Sequence, residues 1–352
     1  AFDPMRHPVR FIESQYDMEC LHFLVLTAEK IGMLKSPMPN ADWTHPFNTE
    51  EPWMKCIRHL SLIRGKEKIK NKPLNYSAFP TIKSRLINDC SDYHVGSALV
   101  KAEILRHMEA AGMSLEEPAQ IVLVNGEGTL HHDSAGSERI REELRCVTNE
   151  SIIAAVNSVW QKMRRPIPNV RLAAARESLS ADEMMRDGMG AEVWTAPDIT
   201  LCCKHRPKHA GGQGLLVIDS TTPAVDQWLK RIALKQGGRY LRMCEWKGTP
   251  HQFIDLLATF DHVVSGRFHG ITLCMLAGTS FLAAPSNTWK TQGLLNDLGL
   301  SSCYHDSEKA MNAAIDGGSF KALDRSKLTQ IERQWRDIFA RLRALCATSN
   351  LP

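Results

Sequence analysis

Short apolar runs of strand length recur along this chain, and most are followed by a stretch with helical periodicity. Ala119–Val124 (Ala-Gln-Ile-Val-Leu-Val) is the clearest of them. A strand with so few polar residues is buried on both faces, as in a parallel sheet covered by helices. In the first part of the chain, strands are expected at Ile82–Ile87, Ala119–Val124, Ile152–Val156, Val170–Ala175 and Glu192–Thr195. Helices are expected at Val95–Ala111, Ser134–Arg145 and Ser178–Arg186, the first stopped by Gly112 and the last started by Ser178 or Ser180.

A basic, glycine-rich break, Cys203-Lys-His-Arg-Pro-Lys-His-Ala-Gly-Gly-Gln-Gly214, separates this series from a second one. There, strands are expected at Leu215–Ile218, Tyr240–Cys244, His262–Val264 and Phe281–Ala284. Helices are expected at Ala224–Gln236, Pro250–Thr259, Gly270–Ala277 and Thr288–Leu298. A long, basic, amphipathic helix at about Lys321–Leu345 closes the chain. The fold class is therefore α/β, with two Rossmann-like domains facing across a cleft. The expected organisation is an N-terminal extension over 1–75, a first domain over 76–204 and a linker over 205–214. A second domain follows over 215–320, then the long C-terminal helix and tail over 321–352. Ligands of such folds bind beyond the carboxyl ends of the strands, here between the domains. The extension is rich in Pro, Trp, His and basic residues, with one helix expected at Glu19–Met33.

Composition narrows the function. The 352 residues are 43% hydrophobic and 23% charged, enough for a core without covalent staples. Against 43 basic residues stand 39 acidic ones, a net charge of +4. That is too mild to expect nucleic acid as a partner, so any anion site must be local. Ten scattered cysteines form no C-x-x-C pair; they read as reduced thiols of a cytoplasmic protein, and no zinc spacing is present. The N-terminus carries no apolar leader, and no stretch approaches the ~20 apolar residues that span a bilayer.

The richest segment is His262-Val-Val-Ser-Gly-Arg-Phe-His-Gly270, followed by Phe281-Leu-Ala-Ala-Pro-Ser-Asn-Thr-Trp-Lys290. A buried strand ends at Ser265, and Arg267 and His269 open a helix whose first N–H groups favour an anion. Arg267 adds a forked donor for phosphate or carboxylate. His269 can move a proton near neutral pH. Ser286 and Lys290 add a hydroxyl and an ammonium at the next strand end.

This order, strand-(S)-x-R-x-H-x-hydrophobic helix-A-G-x-strand-…-K, resembles the C-terminal signature of the polysaccharide pyruvyl transferase family. Further elements resemble that family in order. They are Asn88-Asp-Cys-Ser-Asp-Tyr-His-Val-Gly96, Val122-Leu-Val-Asn-Gly-Glu-Gly-Thr-Leu130, Arg176-Glu-Ser-Leu-Ser180 and Ala196-Pro-Asp198. In the last, Pro and Asp stand in reversed order. The resemblance spans about residues 82–300. It implies a GT-B-like fold and transfer of a pyruvyl group from phosphoenolpyruvate to a sugar of a cell-surface glycan, with no cofactor required. Arg267 and His269 would then be the donor-binding and acid-catalytic pair, with Lys290 near the donor phosphate. Arg176 and Asp198 would lie at the cleft, and Ser265 and Ser286 beside the donor.

The family's turn after the second strand is commonly a run of glycines, whereas here it is Asn125-Gly-Glu-Gly128. The flanking glycines leave Glu127 projecting, as a general base toward a sugar hydroxyl or as a residue that shapes the loop. Asn125, His131 and Arg176 are expected on the acceptor side or in the cleft. His131-His132-Asp133 is not expected to bind metal, because adjacent strand residues point to opposite faces. Glu127 and Asp198 together open a second reading: a retaining glycosyltransferase moving Kdo or a similar ulosonic acid from its CMP form. Asp198 would be its nucleophile and Glu127 its acid/base. A third is a non-catalytic protein that binds a glycan or nucleotide in the same cleft. The acceptor would be a glycan, which can be lipid-linked. The basic face of the last helix (Lys321, Arg325, Lys327, Arg333, Arg336) is then either solvated or a peripheral contact with anionic lipid.

Overall fold

The structure, a computed structural model, describes residues 81–147 and 151–349, all within one compact unit. The helix expected at Glu19–Met33 and the rest of the extension lie outside the described residues. Two parallel sheets carry the described residues. The first runs from β1 (Ile82–Ile87), β2 (Met113–Leu115) and β3 (Ile121–Asn125) to β4 (Ile152–Ser158), β5 (Val170–Ala175) and β6 (Glu192–Thr195). Its order is β2-β1-β3-β4-β5-β6. The second contains β7 (Leu215–Ser220), β8 (Arg239–Leu241), β9 (His262–Gly266) and β10 (Ser280–Ala283), in the order β10-β9-β7-β8. Every strand pair is parallel, so every chain return is a crossover.

Alternation along the strands sorts the side chains into three cores. Leu123, Ala154 and Leu172 of the first sheet share one cluster with Leu216, Ile218, Val263 and Phe281 of the second. Their neighbours Val122, Ile153 and Ala173 face a separate core. Val217, Val264 and Leu282 face a third. The two sheets are thus joined through a common apolar layer. The helices that enter it are α1 (Val95–Ala110), α5 (Pro250–Ala258), α6 (Phe268–Ala277), α7 (Lys290–Asp297) and α9 (Lys327–Ser349). The others are α2 (Ala135–Arg145), α3 (Ser178–Arg186), α4 (Pro223–Lys235) and α8 (Glu308–Asp316).

Three expectations shift. The strand expected at Tyr240–Cys244 stops at Leu241, because Asp219 Oδ1 accepts the Met243 N–H at 3.0 Å and turns the chain. The last helix begins at Lys327, not near Lys321. Asp324 accepts the Ser326 N–H at 2.9 Å in a turn, while the Lys321 carbonyl accepts from the Phe281 N–H in an isolated bridge. His132 and Asp133 form a turn, at φ 52° and 45°, directly after His131, which makes an isolated parallel bridge with Gln161. Lys321 and Arg325, expected on the basic face of the last helix, therefore precede it. Arg325 donates to the carbonyls of Pro207 and Leu276, and Lys327, at the helix start, donates to that of Leu298. No helix among the described residues is long and apolar enough to cross a membrane.

Candidate active site

A cavity of about 570 Å³ opens where the carboxyl ends of both sheets converge. Its walls follow directly from parallel topology, since each strand delivers the residues just past its end to the same place. The β1–α1 loop brings His94, β3 brings Glu127, and β5 brings Arg176. From the second sheet, β9 brings Arg267 and His269, and the turn after β10 brings Ser286 and Lys290.

The turn after β9 is held by Ser265. Its hydroxyl accepts the Arg267 N–H at 3.1 Å and donates to the Arg267 carbonyl at 2.9 Å. Gly270 leaves room for that hydroxyl, which a Cβ there would overlap. Arg267 is then locked from behind by Asp219 at the end of β7. Nε donates to Oδ1 at 3.0 Å and Nη2 to Oδ2, a forked pair that fixes the guanidinium plane. Nη1 is left buried without a partner.

His269 sits between two carboxylates of the first sheet. Nδ1 is 3.6 Å from Glu127 Oε1, and Nε2 is 3.6 Å from Asp198 Oδ2. Glu127 is itself oriented by the Ser97 hydroxyl, which donates to Oε1 at 2.6 Å, and by Asn125 Nδ2, which donates to Oε2 at 3.3 Å. At Gly128 a Cβ would make only ordinary contact, 3.6 Å from Lys290 Nζ. Gly126 acts by space rather than by an unusual backbone angle, because a Cβ there would overlap Ser158. Gly96 plays the same part for His269, whose ring packs against the start of α1.

Asp198 is fully buried and is not part of the cavity wall. One oxygen caps the turn Ile199–Cys202, accepting the Thr200 N–H at 3.0 Å and the Thr200 hydroxyl at 2.6 Å. The other accepts from Arg176 Nη1 at 3.2 Å. Burial alone would raise its pKa, but His269 and Arg176 outweigh burial and hold the carboxyl below its usual range. Arg176 is stacked 4.2 Å over the Phe268 ring and keeps a buried Nε without a partner.

Lys290 completes the cationic wall. Its ammonium donates to Asn287 Oδ1 at 2.6 Å, and burial, followed by the charge of Arg176, pushes its pKa down to about 7. His94 accepts the Ser97 N–H at 3.2 Å, which leaves its proton on the other ring nitrogen. Burial and then the charges of His269 and Arg267 push its pKa down to about 3, so it faces the cavity neutral.

The site residues expected from sequence fall into two groups. Glu127, Arg176, Arg267, His269, Ser286 and Lys290 meet at the cavity. Ser265, Asn125, Asp198 and His131 do not line it. Ser265 binds its own turn, Asn125 orients Glu127, and Asp198 stands behind His269. His131 Nε2 lies 3.3 Å from Asn287 Nδ2, beside the partner of Lys290. Ser286 donates to the Thr288 carbonyl at 2.9 Å. Sequence reading missed two residues. Asp219 opens the run Asp-Ser-Thr-Thr, and nothing in that run points to Arg267, 48 residues away. His94 sits in the Asn88–Gly96 loop, where a capping histidine leaves no distinctive local signal.

Chemically, the arrangement can hold an anion and move a proton. Two buried arginine N–H donors and a lysine ammonium surround an imidazole flanked by two carboxylates. No family model matches the chain, and no curated protein matches it in sequence. Among solved structures, it is similar to an uncharacterised protein of Klebsiella pneumoniae, at 11% identity and a TM-score of 0.46. That match covers 72% of this chain and 99% of the other. It is also similar to a mutant O-GlcNAc transferase of Thermobaculum terrenum, at 8% identity and a TM-score of 0.37, over 93% of this chain and 74% of that one.

Proposed function

We propose that this chain is a transferase that moves a pyruvyl group from phosphoenolpyruvate to a glycan, with its two sheets as the lobes of a GT-B-like cleft. One observation carries the reading. Arg267, fixed by Asp219, keeps a buried donor free beside Arg176, Lys290 and His269 in one cavity. A donor with a phosphate and a carboxylate needs such a set of cations. A neutral sugar alone gives no reason to bury them.

In this reading, Arg267, Arg176 and Lys290 hold the phosphate and carboxylate. His269 donates a proton to the methylene carbon, which becomes a methyl group, and the enol carbon takes up a sugar hydroxyl oxygen. Glu127 accepts the proton of that hydroxyl. A second sugar hydroxyl then forms the other C–O bond as the bond to phosphate breaks, giving a ketal and free phosphate. The proton taken by Glu127 then passes to His269, 3.6 Å away, which restores both groups, and the second hydroxyl's proton leaves on phosphate, so atoms and charges balance without an outside reagent. Asp198 acts through His269 and Arg176.

The CMP-ulosonate reading needs Asp198 at the anomeric carbon of the donor. Its full burial behind His269, with both oxygens engaged, speaks against that role. The test is calorimetric titration of phosphoenolpyruvate and of CMP, separately, into the purified protein. Binding of phosphoenolpyruvate that is lost in Arg267→Ala supports the proposal. Binding of CMP with no response to phosphoenolpyruvate overturns it.

A further inference from the structure

Away from the cavity, three chemically matched side chains meet where α1, the turn Ile199–Cys202 and α9 pack together. His107 lies in the last turn of α1, Cys202 ends the turn, and Glu332 projects from α9. Their ligand atoms all lie within 4.8 Å of one another, and all three residues are buried.

Three details make this more than a chance cluster. First, His107 Nδ1 lies 2.8 Å from the Glu103 carbonyl. A carbonyl can only accept, so the proton is on Nδ1 and the Nε2 lone pair is free. Second, that Nε2 is buried and has no hydrogen-bond partner. An orphaned buried acceptor costs about 1–3 kcal/mol, and its neighbours should account for it. Third, Glu332 is oriented as a ligating carboxylate is. Arg106 Nη2 at 3.0 Å and Lys204 at 3.2 Å hold Oε2, and Arg106 Nη1 reaches Oε1 at 3.2 Å. Oε1 is thereby turned toward His107 Nε2, 3.9 Å away. Hydrogen-bonded carboxylates and imidazoles anchored through their second nitrogen are the usual outer support of a metal site.

We infer that His107, Cys202 and Glu332 form a binding site for a thiophilic divalent cation, zinc by preference, that ties α9 to α1. Imidazole, thiolate and carboxylate suit Zn²⁺, with solvent as a fourth ligand. Tetrahedral ligation would bring the ligand atoms to roughly 3.4 Å from one another, a small closure from the spacing seen. Binding replaces the proton of the Cys202 thiol, which leaves to solvent. The two charges of the cation meet the thiolate and Glu332, while Arg106 stays paired with Glu103 at 2.7 Å and the Lys204 ammonium is exposed to solvent. The site lies apart from the cavity and takes no part in the transfer chemistry. Linear spacing gives no sign of it, because its ligands come from three distant stretches of chain.

The test is cobalt substitution in the full, tag-free chain. Titration with Co²⁺ should develop a thiolate-to-cobalt charge-transfer absorption at one equivalent, bleached by added Zn²⁺. Cys202→Ser should lose the band and Cys203→Ser should keep it. If Cys202→Ser does not fold, loss of the band in His107→Gln decides the same point. Zn²⁺ should also raise the thermal midpoint of the wild type. Absence of the band, or a band that survives both Cys202→Ser and His107→Gln, overturns the inference. In that case the three side chains are a hydrogen-bonded cluster only.

Discussion

Lys290→Met tests the cationic wall on stability alone, before any substrate is known. Burial lowers the lysine pKa from its ordinary 10.5 to about 7. At 1.36 kcal/mol per pH unit, that drop corresponds to about 5 kcal/mol of unfavourable ammonium burial. The sign follows from proton counts. Below pH 7 both folded and unfolded chains carry the proton, and the folded chain bears the whole penalty. Between 7 and 10.5 the unfolded chain binds the extra proton, so stability rises with pH and the penalty fades. Methionine has a similar length and no charge. Lys290→Met should therefore be more stable than the wild type by about 5 kcal/mol at pH 6, falling to about 2 kcal/mol at pH 9. Urea denaturation in a phosphate-free buffer, compared at the two pH values, measures both differences. A gap that does not change between pH 6 and pH 9, or a less stable variant at pH 6, would refute the claim that Lys290 is a strained, buried cation.

The same lysine should take up a proton when a phosphate-bearing donor binds. At pH 8 the calorimetric enthalpy of phosphoenolpyruvate binding should then vary with the ionisation heat of the buffer, a dependence that Lys290→Met removes. Asp198→Asn leaves the buried Arg176 without its carboxylate and should cost about 3–5 kcal/mol in denaturation. It should also slow turnover, by disturbing His269. Gly96→Ala drives a methyl group into His269 and should destabilise by about 1–3 kcal/mol. It should lower kcat while donor affinity, measured by calorimetry, changes little.

The parallel α/β pattern was legible because strand runs such as Ile121–Asn125 are apolar on every residue but the last. Arg267 and His269 were legible as cavity residues because the positions just past a buried parallel strand stand at the carboxyl edge of the sheet. What the sequence could not show was how polar residues divide their hydrogen bonds. Ser265 and Asn125 have the right chemistry and the right place in the chain, yet turn geometry takes their polar groups for the backbone and for Glu127. Asp198 likewise stands one layer too deep for a nucleophile. Asp219 escaped notice because its partner, Arg267, lies 48 residues away, and only the pairing of β7 with β9 brings them together.

His269 stands on the second sheet, while both carboxylates that flank it, Glu127 and Asp198, belong to the first. Neither half of the chain can settle this histidine alone. The two sheets must dock before the imidazole meets its counter-charges. A chain with both sheets formed but not docked would have its secondary structure without this arrangement of side chains.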